Sequence, residues 1–238
     1  MEYYVDKTRT VYDIEYNGET NKHHGLLMYD FLDEDQPQED YTEYKIPGRD
    51  GSLFASTGYY KTVKKKARFS LISDMTPERL RDVRNWLSGT GTLKTSEDEG
   101  YYYKVKKVVY GNMERELRRF GVFEVTFLCD PYCYLEEGLE ALSSYSSVDN
   151  RWAVSHPVYV ITGNVAGALR VNGNAITVNV SGNLTIDTDR RLAYREDGTY
   201  VNSSISGDYE DMYLVEGTNT ITISSGLSLT VYPHWRML

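Results

Sequence analysis

Tyr213-Leu-Val-Glu-Gly-Thr-Asn-Thr-Ile-Thr-Ile-Ser-Ser-Gly-Leu-Ser-Leu-Thr-Val-Tyr-Pro-His-Trp-Arg-Met-Leu238 is the stretch that decides the fold class. Ile221 and Ile223 alternate with Thr220, Thr222 and Ser224, and Leu227, Leu229 and Val231 alternate with Ser228 and Thr230. A period of two gives each strand one apolar and one hydroxylated face, the pattern by which a sheet buries one side against a second layer. Ser225-Gly226 supplies turn chemistry between the runs, so the pattern predicts a terminal hairpin. Pro233 ends the ladder because its nitrogen carries no proton. The chain is expected to finish inside a β-sandwich.

Upstream, further short apolar alternations predict strands at Pro157–Thr162, Ala168–Val171, Ala175–Val180, Asn183–Ile186, Arg191–Tyr194 and Asp211–Leu214. Asn172-Gly173 and Asp197-Gly198 are predicted turns, since Asn, Asp and Gly tolerate positive φ. That number of strands suits two packed sheets.

The charge is unevenly distributed. Residues 1–135 carry 20 Lys+Arg and 23 Asp+Glu, whereas residues 136–238 carry 6 and 12, and all eleven lysines lie in the first part. With 238 residues this predicts two domains, 1–135 and 151–238, joined by a linker at 136–150. A pI near 5.0 disfavours general binding to nucleic acid, which depends on neutralising phosphates with Lys and Arg. No run of eighteen apolar residues occurs, and Met1-Glu-Tyr-Tyr-Val-Asp6 has no signal-peptide pattern, so a soluble cytoplasmic product is expected. On that expectation the sequons at Asn179, Asn183 and Asn202 are incidental.

In the first part, strands are predicted at Val63–Ile72, Tyr101–Tyr110 and Val122–Leu128, with one helix over about 77–88 to cover their sheet. Thr76 is its N-cap, Pro77 its first residue and Glu78 sits in its positive first turn, while Met75 is placed to staple Leu80. Leu80, Val83 and Leu87 form one stripe beside Trp86, and Gly89 ends the helix. Asp30–Glu43 carries Asp33-Glu-Asp35 and Glu39-Asp40 around Pro37, a composition that predicts a mobile acidic loop.

Little in the sequence points to catalysis. There is no Gly-x-Ser-x-Gly elbow, phosphate-binding loop or His-Glu-x-x-His, and only four histidines occur. No catalytic, cofactor-binding or metal residue is assigned. Cys129 and Cys133 lack the further ligands of a zinc site and are given a structural role. Asp187 and Asp189 are too few for a hard cation, so they are read as solvated hairpin acids. The 22 tyrosines are assigned to packing and subunit contacts rather than to sugar stacking.

Leu214-x-x-Gly217-x-Asn219-x-Ile221 followed by Pro233-x-Trp235-Arg236 resembles the distal tail proteins of long-tailed (siphovirus-type) bacteriophages. Three more stretches fit in the same order: Ile46-Pro-Gly-Arg-Asp-Gly-Ser-Leu53, Phe123-Glu-Val-Thr-Phe-Leu-Cys-Asp-Pro-Tyr132, and Leu184-Thr-Ile-Asp-Thr-Asp189 with Arg191-Leu-Ala-Tyr194. The resemblance implies a mainly β chain: an N-terminal α+β domain with a helix on a split barrel, then a galectin-like β-sandwich. It also implies a non-enzymatic hub at the virion tail tip, built in the host cytoplasm from six copies in a ring. Its implied partners are further copies of itself, the tail tube protein, a tail-associated protein at the tip and the tape-measure protein, with DNA crossing the channel only in transit. The alternative is a monomeric galectin-like glycan- or receptor-binding module, for which only Trp152 and Trp235 offer stacking surfaces in the second half.

One charge run bears on assembly. Val63, Ala67, Phe69 and Leu71 share a strand face, so Lys64, Lys66 and Arg68 line the other. Asp33, Glu34 and Asp35 are read as too acidic to fold back alone. They are expected to lie on this stripe in a neighbouring subunit, which makes these six residues the candidate subunit contact.

Overall fold

A computed structural model describes residues 12–28, 33–72 and 76–238. The readings of Met1–Asp6, of Met75 as a staple and of the start of the Asp30–Glu43 segment lie outside the described residues. The chain is mainly β and divides into two compact units, 1–133 and 134–238.

In the first unit, β1 (Ile14–Tyr16), β2 (Glu19–Thr20), β3 (Leu26–Met28), β4 (Asp33–Glu34), β5 (Glu39–Lys45), β6 (Ser52–Tyr60) and β7 (Val63–Leu71) precede helix α1 (Pro77–Trp86). After it come β8 (Gly91–Thr95), β9 (Tyr101–Tyr110), helix α2 (Met113–Phe120) and the long β10 (Val122–Leu135). The main sheet runs β2-β1-β8-β9-β10-β7-β3, with β4 also on β7. Its core strand pair is long: Val122–Cys129 faces Ser70–Val63 without a break.

α1 starts where the sequence places it. The Thr76 hydroxyl accepts the Arg79 N–H at 3.3 Å, and Pro77 takes a first-turn position that needs no donor. Leu80, Val83, Trp86 and Leu87 are buried with Phe69, Phe123, Phe127 and Tyr16, and the Trp86 indole donates to the Tyr16 carbonyl at 3.1 Å. Each such large apolar side chain stabilises by about 1.5–3 kcal/mol on burial, so this face of α1 fixes the helix on the sheet.

α2 is a second helix where one was expected, and its signals are local. The Asn112 side chain accepts the Arg115 N–H at 3.0 Å, Glu114 and Glu116 sit in the first turn, and Gly121 closes the helix at φ 73°. The acidic segment is also corrected: it contains two strands. Asp33 and Glu34 pair with Lys66 and Lys65 of β7 in the same chain, and the Asp35 N–H donates to the Lys64 carbonyl at 3.0 Å. Ladder bonds join backbone groups, which an acidic side-chain composition leaves intact.

In the second unit, the segment 136–150 expected as a linker carries two short elements and no regular element over 140–146. A 3-10 turn (Glu136–Leu139) and β11 (Ser147–Asn150) belong to it. Then follow β12 (Val158–Gly163), β13 (Ala166–Val171), β14 (Asn174–Asn179), β15 (Gly182–Asp187), β16 (Leu192–Tyr194), β17 (Ile205–Ser206), β18 (Gly217–Ile223), β19 (Leu227–Tyr232) and β20 (Arg236–Met237). One sheet runs β11-β18-β13-β14-β17 and the other β16-β15-β12-β19. Buried Leu169, Val171, Ile176, Val178 and Ile221 of the first sheet and Tyr159, Ile161, Leu184, Ile186 and Val231 of the second make a two-sheet core.

The terminal hairpin is a correction. β18 and β19 alternate as expected, but they lie in different sheets: β18 pairs with β11 and β13, and β19 with β12. Alternation sets which face is buried and leaves the ladder partner open, so Ser224–Gly226 carries the chain from one sheet to the other. Asp211–Leu214 is also no strand. Tyr209–Met212 is a 3-10 turn, and Leu214 makes a single bridge to Ser155.

Candidate functional site

The C-terminal motif residues behind the family resemblance, Asn219, Trp235 and Arg236, act as anchors of the second unit. Asn219 is fully buried; its amide oxygen accepts the Val215 N–H at 2.9 Å, and its nitrogen donates to the Val215 and Gly217 carbonyls at 2.7 and 2.9 Å. Asn172 also donates to that oxygen at 2.8 Å, tying the Asn172-Gly173 turn to the start of β18. At the C-terminus the Trp235 carbonyl accepts the Leu135 N–H at 3.0 Å, and the Arg236 Nε donates to the Val154 carbonyl at 2.6 Å. These groups hold backbone in place, which is architecture rather than chemistry.

Arg236 also determines what His156 can do. Its Nη2 lies 3.0 Å from His156 Nε2, while His156 Nδ1 lies 3.0 Å from Asp189 and the ring stacks on Tyr213 at 4.1 Å. A guanidinium only donates, so Nε2 accepts and Nδ1–H donates to Asp189. The nitrogen that a catalytic base would use is therefore already engaged by Arg236. Nearby Asp187 is only 9% exposed and accepts the Arg190 N–H at 3.0 Å, so it is an internal cap and not a solvated acid. Among the described residues no group of three His, Cys, Asp or Glu is placed to hold a metal. Cys129 is buried and Cys133 half-buried, and neither is in a disulfide. Burial pushes the Tyr159 phenol well above its ordinary range, and its hydroxyl donates to the Met212 carbonyl at 2.7 Å.

Trp235 is 8% exposed, its indole withdrawn into the unit. It presents no open face on which a sugar ring could stack, and the alternative glycan reading loses one of its two tryptophans.

The first unit holds two features relevant to contact with other molecules. The first is the expected basic stripe. Lys64 and Arg68 are exposed on β7, opposite buried Val63, Ala67 and Phe69, so the strand faces are as the sequence implies. Arg68 pairs with Glu124 across the ladder at 3.3 Å. The structure brings the backbone of Asp33–Asp35 beside Lys64–Lys66 within one chain. Lys65, on the buried face, sets its ammonium 3.5 Å from the centre of the Tyr103 ring.

The second feature was not singled out from sequence: β5 and β6 form a sheet of their own. The Gly48-Arg49-Asp50-Gly51 turn closes it, with both glycines at positive φ. Tyr41, Tyr44, Leu53, Phe54 and Tyr59 are exposed along it, Phe54 by 63% and Tyr59 by 76%. A lone two-stranded hairpin is marginal in water, and its exposed side chains divide between two faces, Tyr41 with Phe54 on one and Tyr44 with Leu53 on the other. Tyr41 and Ser56 both donate to Glu39, which holds that carboxyl below its usual range and raises the Tyr41 phenol. The period-two pattern that betrays such a hairpin was masked by its acidic residues.

A second His-centred cluster clips α1 to the sheet. His24 Nδ1 lies 2.7 Å from Asp82 and Nε2 2.8 Å from Glu19, with the ring stacked on Trp86 at 4.7 Å.

No known family profile and no curated protein matches this sequence. Among solved structures, the fold is similar to the Dit protein (gp 19.1) of phage SPP1, described as a paradigm of the hub of the adsorption apparatus in phages that infect Gram-positive bacteria. The two align with a TM-score of 0.62 at 13% identity, over 96% of this chain and 100% of the other.

Proposed function

We propose that this chain is a non-enzymatic structural protein of a phage tail tip, acting as a hub of the adsorption apparatus. The observation that carries the proposal is the fold likeness to the phage SPP1 hub protein, which extends over the whole of that chain and reaches both units of this one. The ordered series of distal-tail-like motifs supports it independently, and those of its residues that lie in the second unit, Asn219, Trp235 and Arg236, hold backbone in place there. The task of such a protein is geometric. The first unit would join six copies in a ring, one face on the tail tube and the other on the tail-associated tip protein, with the tape-measure protein and then DNA within the channel. The second units, galectin-like sandwiches in this reading, would point outward. The near-balanced, slightly acidic charge of residues 1–135, 20 bases against 23 acids, suits a channel that DNA must cross without being held.

Lys64 and Arg68, exposed on β7, stay in the proposal as a subunit contact, with Lys66 and the Asp33–Asp35 segment of the same chain beside them. In this proposal the protein resides in the virion tail after assembly in the host cytoplasm.

Negative-stain microscopy of the purified chain, with mass from light scattering, tests the proposal. Closed rings with cyclic symmetry at micromolar concentration are expected, as heterologous contacts produce when their rotation closes. A particle that remains monomeric at every concentration, and that binds a glycan on an array, would replace this reading with that of a sugar-binding module.

A further inference from the structure

In the first unit, β9 is longer than the strand beside it. β8 accompanies it only as far as Gly91, opposite Val105, and among the described residues β10 is the one other strand on β9. One edge of residues 106–110 therefore runs without a ladder partner, and an open hollow of about 560 Å³ lies between it and residues 87–90. Backbone N–H and C=O groups left along a strand edge are a template for an added strand.

The charge around this edge is selective. Residues 101–120 carry six bases and two acids, in a chain whose net charge is −9. Lys106 is paired with Asp130 at 3.0 Å, and Arg118 with Glu114 at 3.0 Å. Lys107, Arg115 and Arg119 are exposed and have no carboxylate partner among the described residues. A second hollow, of about 380 Å³, lies along α2 and is lined in part by Arg115 and Arg119. Val109 is 43% and Phe120 65% exposed on the same stretch of chain. Cations at an edge repel a basic strand and admit an acidic one.

The described acidic strands of this chain are already in ladders, β4 on β7 and β5 on β6. We infer that the open edge of β9 is a docking slot for an extended acidic segment of another protein, which adds a strand along residues 106–110. Its carboxylates meet Lys107, Arg115 and Arg119, and its apolar side chains meet Val109 and Phe120. Backbone pairing holds the segment, and the cations select it. The slot is a property of one chain, so its test is separate from that of the ring.

The probe is a fluorescein-labelled peptide of three Glu-Glu-Val-Val repeats, a strand that offers a carboxylate and an apolar group in turn on each face. Anisotropy of this peptide with the full-length protein is expected to show saturable binding. Two control peptides are expected to bind about tenfold more weakly: Glu-Glu-Pro-Val repeats, which keep the charge and lose ladder donors, and Lys-Lys-Val-Val repeats, which reverse the charge. Arg115→Glu/Arg119→Glu, at two exposed positions of α2, is expected to keep the wild-type Tm and circular dichroism and to bind the parent peptide about tenfold more weakly, an effect that fades with salt. Amide hydrogen exchange is expected to slow at 106–110 when the parent peptide is bound. Absence of binding to the wild-type protein, or binding that leaves exchange at 106–110 unchanged, overturns the inference. If the proline peptide and inorganic polyphosphate both bind as tightly as the parent, the patch holds polyanions by charge alone, no strand is added, and the inference is wrong.

Discussion

At the scale of the residue, Asn219 shows why a motif can point to a family without pointing to a reaction. A buried amide with two donors and an oxygen acceptor ties off the Val215 and Gly217 backbone groups at the entry to β18. Replacing it with leucine keeps the volume and leaves those part-buried groups without their partner. Each such group costs about 1–3 kcal/mol, so Asn219→Leu is expected to destabilise by about 3 kcal/mol and lower Tm by about 10 °C, read by thermal denaturation. A variant as stable as wild type would show that water replaces the amide. Gly217, at φ 91°, serves the same turn through its backbone freedom. Both residues stand out in the sequence, but their role as a pair depends on which carbonyls converge there.

At the scale of the element, β7 carries the clearest division between what is local and what is not. Its alternation assigns Val63, Ala67 and Phe69 to the core, and the structure buries all three. Its neighbours, β10 and the acidic β4, come from distant parts of the chain. Reversing Lys64, Lys66 and Arg68 to Glu sets new carboxylates against the Asp33–Asp35 segment and Glu124, and like charges across a ladder are unfavourable. The expected outcome is a loss of about 1 kcal/mol of stability, partly recovered at high salt because the charges are exposed. Denaturation at two ionic strengths measures it. An unchanged Tm together with a changed particle mass would instead place the stripe's main contact between copies. α2 was readable from its Asn112 cap and Gly121 stop but is short and strongly charged, and its apolar signal consists of Met113, Leu117 and Phe120. β18 and β19 failed in the opposite way: their pattern is strong, yet each pairs with a strand of a different sheet.

At the scale of the whole molecule, the chain separates into units at Cys133 and Tyr134, and residues 134–150 belong to the second. β11 pairs with β18, and the Asn150 side chain donates to the Ala153 and Leu214 carbonyls at 3.1 Å. A protease is therefore expected to cut within 140–146, where no regular element lies. A fragment 134–238 should fold alone, whereas 151–238, stripped of β11 and Asn150, should melt at least 5 °C lower. Mass spectrometry of the digest and melts of both fragments check this. Equal melting of the two would make 134–150 dispensable.

The sequence by itself determined the mainly β class, the faces of most strands, the α1 cap and the Asn172-Gly173 turn. All of these follow from side-chain periodicity and backbone preference within a few residues. Only the tertiary structure decided that β18 and β19 part into two sheets, that the acidic segment pairs with its own β7, that Trp235 is withdrawn from solvent and that Arg236 engages the free nitrogen of His156. In each case the deciding partner lies far along the chain, and local patterning fixes which side of an element is apolar without fixing what it meets.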